Sequence, residues 1–435
     1  MPFAKNHVRL TSGRSMIARM SKSSRILAIL LFFCVPALAA DWPTWLGPNR
    51  DGKSTETGLL KSWPEGGPKL IWNVKGLGEG YSSMAVVGNR IYTQGQEGDH
   101  QFVMALDTAS GKQVWKTATG KAFSSEQGGG PRGMPTVDGN RLYALASDGT
   151  LVCLDTQTGK RVWGFNYIEK FGSNLARWAF SESPLVDRDR LIIVPGGKGA
   201  GIVALNKATG DVIWQSQDDL AGYSSVLPLD FGGLHIYTVL TRSAAIGVDA
   251  RDGSLLWRYE KVANRVANIA TPIYADGYVF YSSQYDTGCA LLKLAAESGK
   301  VTATEVYFSR EMQNHYTTSI RVGDYLYGFS GNQPGVLVAM ELKSGKVAWK
   351  DRSVKKGNCI CAENLLYCQG ETGTIGLIEP SPAGYKEISR FEFHPASEGG
   401  PFWAPSGHMW TVPAIANGRL YLRVQDDLYA YDIKR

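Results

Sequence analysis

Short alternating runs of apolar and polar residues follow one another along most of the chain, each ending in a turn. Arg141-Leu-Tyr-Ala-Leu145 and Thr150-Leu-Val-Cys-Leu154 put every second side chain on one face, as a half-buried strand requires. Asp138-Gly-Asn140 and Asp148-Gly149, which separate such runs, are residues that tolerate the backbone of tight hairpin turns. The chain therefore reads as a succession of small antiparallel sheets.

These sheets repeat. Asn89-Arg-Ile-Tyr92 leads to Ala105-Leu-Asp107, Gly111-Lys112 and Trp115, and Asn140-Arg-Leu-Tyr143 leads in the same order to Cys153-Leu-Asp155, Gly159-Lys160 and Trp163. Further copies end at Trp214, Trp257, Tyr307, Trp349 and Phe391, and the spacing suits one four-stranded propeller blade per copy. One such sheet cannot bury both faces alone, so neighbours must stack, with the closing aromatic as the flat side chain of the seam. The last copy, from Trp410 through Gly418-Arg-Leu-Tyr421 to Tyr429-Ala-Tyr-Asp432, stops at Arg435 without its closing strand. Pro68-Lys-Leu-Ile-Trp72 looks like that missing strand, displaced to the other end of the chain. The expected fold is all-β: an eight-bladed β-propeller of four-stranded antiparallel blades over residues 68–435, closed by the N-terminal strand, which removes two sheet edges.

Residues 1–40 read as a signal peptide. A basic stretch precedes the apolar run Ile26 to Val35, which is too short to span a bilayer, and the small-residue site Ala37-Leu-Ala39 follows. Phe32 and Phe33 before Cys34 do not match the small residues that precede a lipoprotein cysteine, so a soluble product, periplasmic or secreted, is expected. This leader holds six of the 46 basic side chains and no acidic one, leaving 40 of each sign in the remainder. A neutral remainder gives no global electrostatic reason to expect nucleic acid as a partner. Residues 41–67 form a Trp-rich extension in which Trp42, Trp45 and Trp63 are expected to pack beneath the ring, and a monomer is expected.

Cysteines beyond the leader have neither the spacing of a disulfide framework nor that of a zinc site. One pair differs: a hairpin turning at Glu363 and Asn364 places Cys359 opposite Cys368, and export permits a bridge there.

The pattern Ala-x-Asp-x-x-(Thr/Ser)-Gly-Lys-x-x-Trp, met at Ala105 to Trp115 and, with Cys153 for alanine, at Cys153 to Trp163, resembles the tryptophan-docking repeat of quinoprotein dehydrogenases and their non-catalytic relatives. Those relatives include the barrel-assembly propeller lipoprotein of bacterial outer membranes. They also include exported propellers that open with Trp-Pro-x-Trp-x-Gly-Pro-x-Arg-Asp-Gly, as this chain does at Trp42 to Gly52. The resemblance covers essentially all of the chain after the leader and is specific for the fold. Within the repeat, Asp107, Asp155 and Asp249 stand at strand ends beside turns and are expected to satisfy backbone groups.

Chemistry is expected where the segments leading into the innermost strands converge on the channel mouth. The candidate ligand-binding set is Arg132, Arg177, Trp178, Glu182, Tyr223, Asn268, Gln313, Asn314, His315, His408 and Trp410, with Tyr81, Ser82, Ser83 and Tyr316 beside them. The dehydrogenase resemblance implies an alternative, a pyrroloquinoline quinone (PQQ) site with Ca²⁺, for which Glu182 and Asn268 are the candidate metal ligands. The adjacent cysteine pair that caps the quinone in those enzymes is missing, as is an aspartate at a suitable lead-in and any haem-attachment Cys-x-x-Cys-His. No Gly-x-Ser-x-Gly, His-Glu-x-x-His or P-loop occurs, and Gly196 to Gly201 falls between strands of one blade. The reading is therefore a binding or scaffold protein for a protein, peptide or carbohydrate, with no catalytic residues or metal assigned and no cofactor expected. A PQQ- and Ca²⁺-dependent alcohol or sugar dehydrogenase is the alternative.

Overall fold

The corner of each repeat shows how one sheet locks to the next. Asp155 accepts hydrogen bonds on one carboxylate oxygen from the backbone nitrogen and hydroxyl of Thr158 (2.9 and 2.8 Å), which fixes the turn after its strand. The turn brings Gly159 against the ring of Trp115 from the preceding blade; φ there is +69°, and a Cβ would come within 2.6 Å of the ring. The indole of Trp115 then donates to Thr156 O at 3.0 Å. The same clasp joins Trp163 to Lys207 O, Trp214 to Ala250 O and Trp349 to Ser381 O, and the Tyr307 hydroxyl makes it to Leu342 O. Trp257 departs from the rule and donates to the hydroxyl of Tyr281.

This computed structural model describes residues 40–332, 334–394 and 409–435, so the expected leader, apart from Ala40, and the candidate His408 lie outside the described residues. Eight sheets follow one another, each built of four consecutive antiparallel strands except two: the seventh adds a short parallel strand from the N-terminal segment, and the last takes its outer strand from there. In blade one the strands are Ala85–Val87, Arg90–Glu97, His100–Asp107 and Gln113–Lys121, from the axis outward. Blade eight takes Ala414–Ala416, Arg419–Val424 and Asp427–Asp432 from the C-terminus, and its outer strand, Lys69–Val74, from the N-terminus. Trp72 on that strand donates to Thr108 O of blade one at 3.0 Å, so the clasp that joins consecutive blades also shuts the ring. All eight closing aromatics expected from the repeat lie on outermost strands.

Two further expectations hold at this level. Cys359 and Cys368 pair in register across the hairpin turning at Glu363 and Asn364, with Cα atoms 4.4 Å apart, and are joined as a disulfide. Gly196 to Gly201 connects two neighbouring strands of blade three, Arg190–Ile193 and Ile202–Asn206.

The N-terminal extension differs from expectation. Trp42 exchanges backbone hydrogen bonds with Val86, Val137 donates to Pro43 O, and the indole of Trp45 donates to Thr271 Oγ1 at 2.9 Å. Arg50 reaches Ser183 O at 3.0 Å, Cys361 donates to Gly52 O, Lys53–Ser54 pairs in parallel with Cys361–Ala362, and Ser54 donates to Ile415 O. These partners belong to blades one, two, five, three, seven and eight, and a short segment can touch them all only from inside the ring. Residues 42–54 thus fill the channel rather than packing beneath it. The physical reason is polar: bare inner-strand edges would leave backbone groups unpaired at the axis, and this segment supplies their partners. Trp63 packs edge-on to Tyr367 and Phe391 of blade seven, at 5.6 Å from each.

Candidate functional site

Each innermost strand is preceded by an irregular lead-in, and these open together on the face of the ring opposite the inner hairpin turns. Aromatic side chains from successive lead-ins touch one another there. Tyr81 of blade one lies 5.2 Å from Trp410 of blade eight, Trp410 lies 5.6 Å from Tyr316 of blade six, and Tyr316 lies 5.7 Å from His315. His315 Nε2 is 2.9 Å from the hydroxyl of Tyr285, which belongs to blade five. On the opposite arc, Trp178 packs at 5.9 Å on Tyr223, whose hydroxyl accepts from Trp178 N at 3.3 Å. Arg132 closes the circuit, standing 5.2 Å over the Tyr81 ring and within electrostatic reach of Tyr223.

Cations sit among these rings. The Lys356 ammonium lies 4.9 Å from the Tyr316 ring and 6.0 Å from that of Trp410, and is 3.2 Å from Glu371. Burial holds its pKa below the ordinary lysine value even though Glu371 pulls the other way. Trp410 donates its indole hydrogen to the same carboxylate at 2.6 Å. Burial, and secondarily the charge of Lys356, push His315 down to about 3, so its ring is neutral at ordinary pH. Arg177 stacks over Trp178 at 5.2 Å and pairs with Glu126.

Arg132, Arg177, Trp178, Tyr223, His315 and Trp410 therefore do gather at the mouth. Glu182, Asn268 and Asn314 are buried and committed to the protein's own framework. Glu182 Oε1 accepts from Tyr167 (2.9 Å) and from Val194 N (2.8 Å), within the packing between blades two and three. Asn268 donates to the carbonyls of Thr241, Arg242 and Asn264 and accepts from Asn264 N, which fills its amide. Asn314 donates to Phe329 O and accepts from Ser319. Gln313 turns back to Arg310 O.

These placements bear on the calcium and quinone alternative. A shared Ca²⁺ needs oxygens free to converge on one point, whereas Asn268 has its oxygen bonded to its own loop and Glu182 has one of two oxygens bonded in a blade seam. Among the described residues no group of three His, Cys, Asp or Glu side chains is arranged to hold a metal ion. The residues present do not fit that donor set.

Tyr285, Lys356 and Glu371 also belong to the mouth and were not expected there from the sequence. Lys356 and Glu371 flank the inner hairpin of blade seven, Gly357–Ala362 and Leu365–Gly370, whose repeat is degenerate enough to hide its lead-in. The signal available was the position of Lys356 directly before an apolar inner strand. Tyr285 sits in the hairpin between the second and third strands of blade five, a connection that also reaches the mouth. Away from the mouth, a separate cavity of about 240 Å³ opens between Arg50, Asp51 and Lys53 of the channel segment and the inner strands of blades four to six.

Comparison with known proteins places this ring among relatives. A family profile described as outer membrane protein assembly factor BamB matches residues 58–170 and 103–351. The protein of that name from Moranella endobia (strain PCIT) is 25% identical over 310 residues, 65% of this chain and 71% of its own length; matches to the Shewanella oneidensis and Burkholderia pseudomallei proteins span about half of theirs. The crystal structure of BamB from Moraxella catarrhalis superposes with a TM-score of 0.60 at 16% identity, covering 84% of this chain and 99% of that one. Quinohemoprotein alcohol dehydrogenase from Comamonas testosteroni gives 0.63 at 12% identity over 91% of this chain and 80% of its own. At such identities the two superpositions show the fold alone.

Proposed function

The chain belongs to the family of the outer membrane protein assembly factor BamB, and we propose that it is an exported binding or scaffold propeller that holds its partner at the channel mouth. The observation that carries this reading is the convergence of Tyr81, Arg132, Trp178, Tyr223, His315, Tyr316 and Trp410 from separate blades on one opening. Aromatic rings and a guanidinium offer large contact area at low entropic cost, which is how binding surfaces concentrate affinity. The mouth's side chains stand on the lead-ins of the innermost strands, and residues 42–54 lie behind it.

Export is supported by the leader-like residues 1–40, by the Cys359–Cys368 disulfide, and by relatives named for outer membrane assembly. No helix among the described residues is long and apolar enough to cross a membrane.

The test uses the chain as bait against a native cell-envelope extract, beside the double variant Tyr316→Ala with Trp410→Ala and a control, Arg188→Ala, on the hairpin face. Capture lost with the mouth variant and kept with the control is the expected result. Equal capture by all three would place binding elsewhere and overturn the reading.

A further inference from the structure

We infer that the precursor is cut between Ala39 and Ala40, and that the ammonium freed on Ala40 pairs with the buried carboxylate of Glu56 and fastens the channel segment at its base. The inference rests on the export part of the proposed function and is independent of the mouth. The first observation is the contact itself. Ala40 N lies 2.9 Å from Glu56 Oε1, and Glu56 is 7% exposed. Among the described residues no lysine, arginine or histidine pairs with Glu56. The buried carboxylates of Glu371, Asp219 and Asp249, by contrast, each face a cation. A buried carboxylate without a cation is costly. An amide at Ala40 supplies a hydrogen bond but no charge, whereas an ammonium at the same nitrogen supplies both.

The second observation is where that nitrogen stands in the sequence. Ala37 and Ala39 are the third and first residues before it, and they follow the apolar run Ile26 to Val35. Small residues at those two positions are what export endopeptidases read. A cut one residue later puts Leu38 at the third position, and a cut before Cys34 leaves Ala40 N an amide. Hydrolysis breaks the bond from Ala39 C to Ala40 N. Water gives its hydroxyl to the Ala39 carbonyl carbon and a proton to the Ala40 nitrogen, and a further proton from solvent makes that nitrogen an ammonium at neutral pH.

The third is what the pair holds. Asp41 accepts from Gly88 N at 2.8 Å and Trp42 exchanges hydrogen bonds with Val86, so the incoming end is tied to blade one. Glu56 N donates to Ser54 Oγ, which donates to Ile415 O, so the outgoing end is tied to blade eight. Ala40 and Glu56 thus close the base of the loop whose interior, residues 42–54, fills the channel. Processing turns that closure from a hydrogen bond into an ion pair, and the channel segment is held most firmly in the exported protein.

Two measurements on the protein taken from the envelope of the cells that make it test this. Intact-mass analysis and N-terminal sequencing are expected to find a chain that starts at Ala40 with a free amine. Acetylating that amine at mildly acidic pH, where it reacts ahead of the more basic lysines, is expected to lower the thermal midpoint by about 2 °C or more. The same treatment of Glu56→Gln is expected to leave its midpoint unchanged. An exported chain that starts at a lipidated Cys34 or at any residue other than Ala40 would overturn the inference and leave export standing. So would a midpoint indifferent to acetylation, or an equal fall in Glu56→Gln. An uncut chain found only in the cytoplasm would overturn both the inference and the export reading.

Discussion

Glu182 shows what a polar residue beside the mouth can be doing instead of meeting a ligand. Its carboxyl is buried between Tyr167 and Val194 N, and burial raises its pKa to about 7 against the pull of those hydrogen bonds and of Arg50. The folded state therefore holds the proton more tightly than the unfolded chain, whose carboxyl titrates near 4.5. The contribution is full below about 4.5 and is lost as pH rises through about 7, at most on the order of 3 kcal/mol. Glu182→Gln keeps the acceptor oxygen and removes the proton equilibrium. The variant is expected to be the more stable protein at pH 8 and the two to converge near pH 5, as read by thermal denaturation across that range; parallel curves would contradict the assignment. His315, held down to about 3, works in the opposite sense, since its neutral form is favoured and stability is lost as pH falls below the ordinary 6.5. That a polar residue stood at a lead-in was legible in the sequence. Which way it faced was not, because Glu182 and Asn268 use their polar atoms on local backbone and Trp178 does not, a difference decided by φ/ψ in segments without a regular period.

At the scale of the element, the recurring contact is the clasp between an indole and the carbonyl beyond the next blade's aspartate corner. Trp163 packs within its own blade on Tyr143 at 5.9 Å and Phe165 at 6.0 Å, and it reaches blade three by donating to Lys207 O and by lying against Gly210, where a Cβ would come within 2.9 Å of its ring. Trp163→Ala is expected to cost about 3 kcal/mol, and Trp163→Phe, which keeps most of the area, about 1 kcal/mol. Phe308→Ser, on an exposed outer-strand position, is expected to stay within about 0.5 kcal/mol. Urea denaturation of the three variants checks the order, and a Phe308 effect as large as that of Trp163 would contradict it. Blades were legible because turn residues and the closing aromatic recur at fixed offsets, and the Cys359–Cys368 pairing followed from the hairpin turn alone. Blade seven was legible as strands but not as part of the site. Its Lys356–Glu371 pair is brought together by folding an inner hairpin whose ends lie fifteen residues apart in the chain.

For the whole molecule, ring closure by Lys69–Val74 could be read from an unfinished last repeat and an orphan strand, since a propeller with one open blade leaves edges unpaired. The channel segment could not. Residues 42–54 have no repeat and almost no alternation, and their partners are scattered from Val86 to Ile415, so only the assembled ring defines their place. Arg50 belongs to that assembly: buried, hydrogen-bonded to Ser183 O and Thr44, and lowered by burial to about 10, it is a support of the mouth rather than a ligand group. The ring is closed by its N-terminal strand and filled along its axis, and its aromatic and cationic mouth is where we propose that a partner binds. The direct test is photo-crosslinking in living cells from a benzophenone amino acid placed at Tyr81 or Tyr316 in the mouth, and at Tyr274 on the opposite face. Adducts from the two mouth positions and none from Tyr274 are the expected result; adducts from Tyr274 alone, or equally from all three, would contradict it.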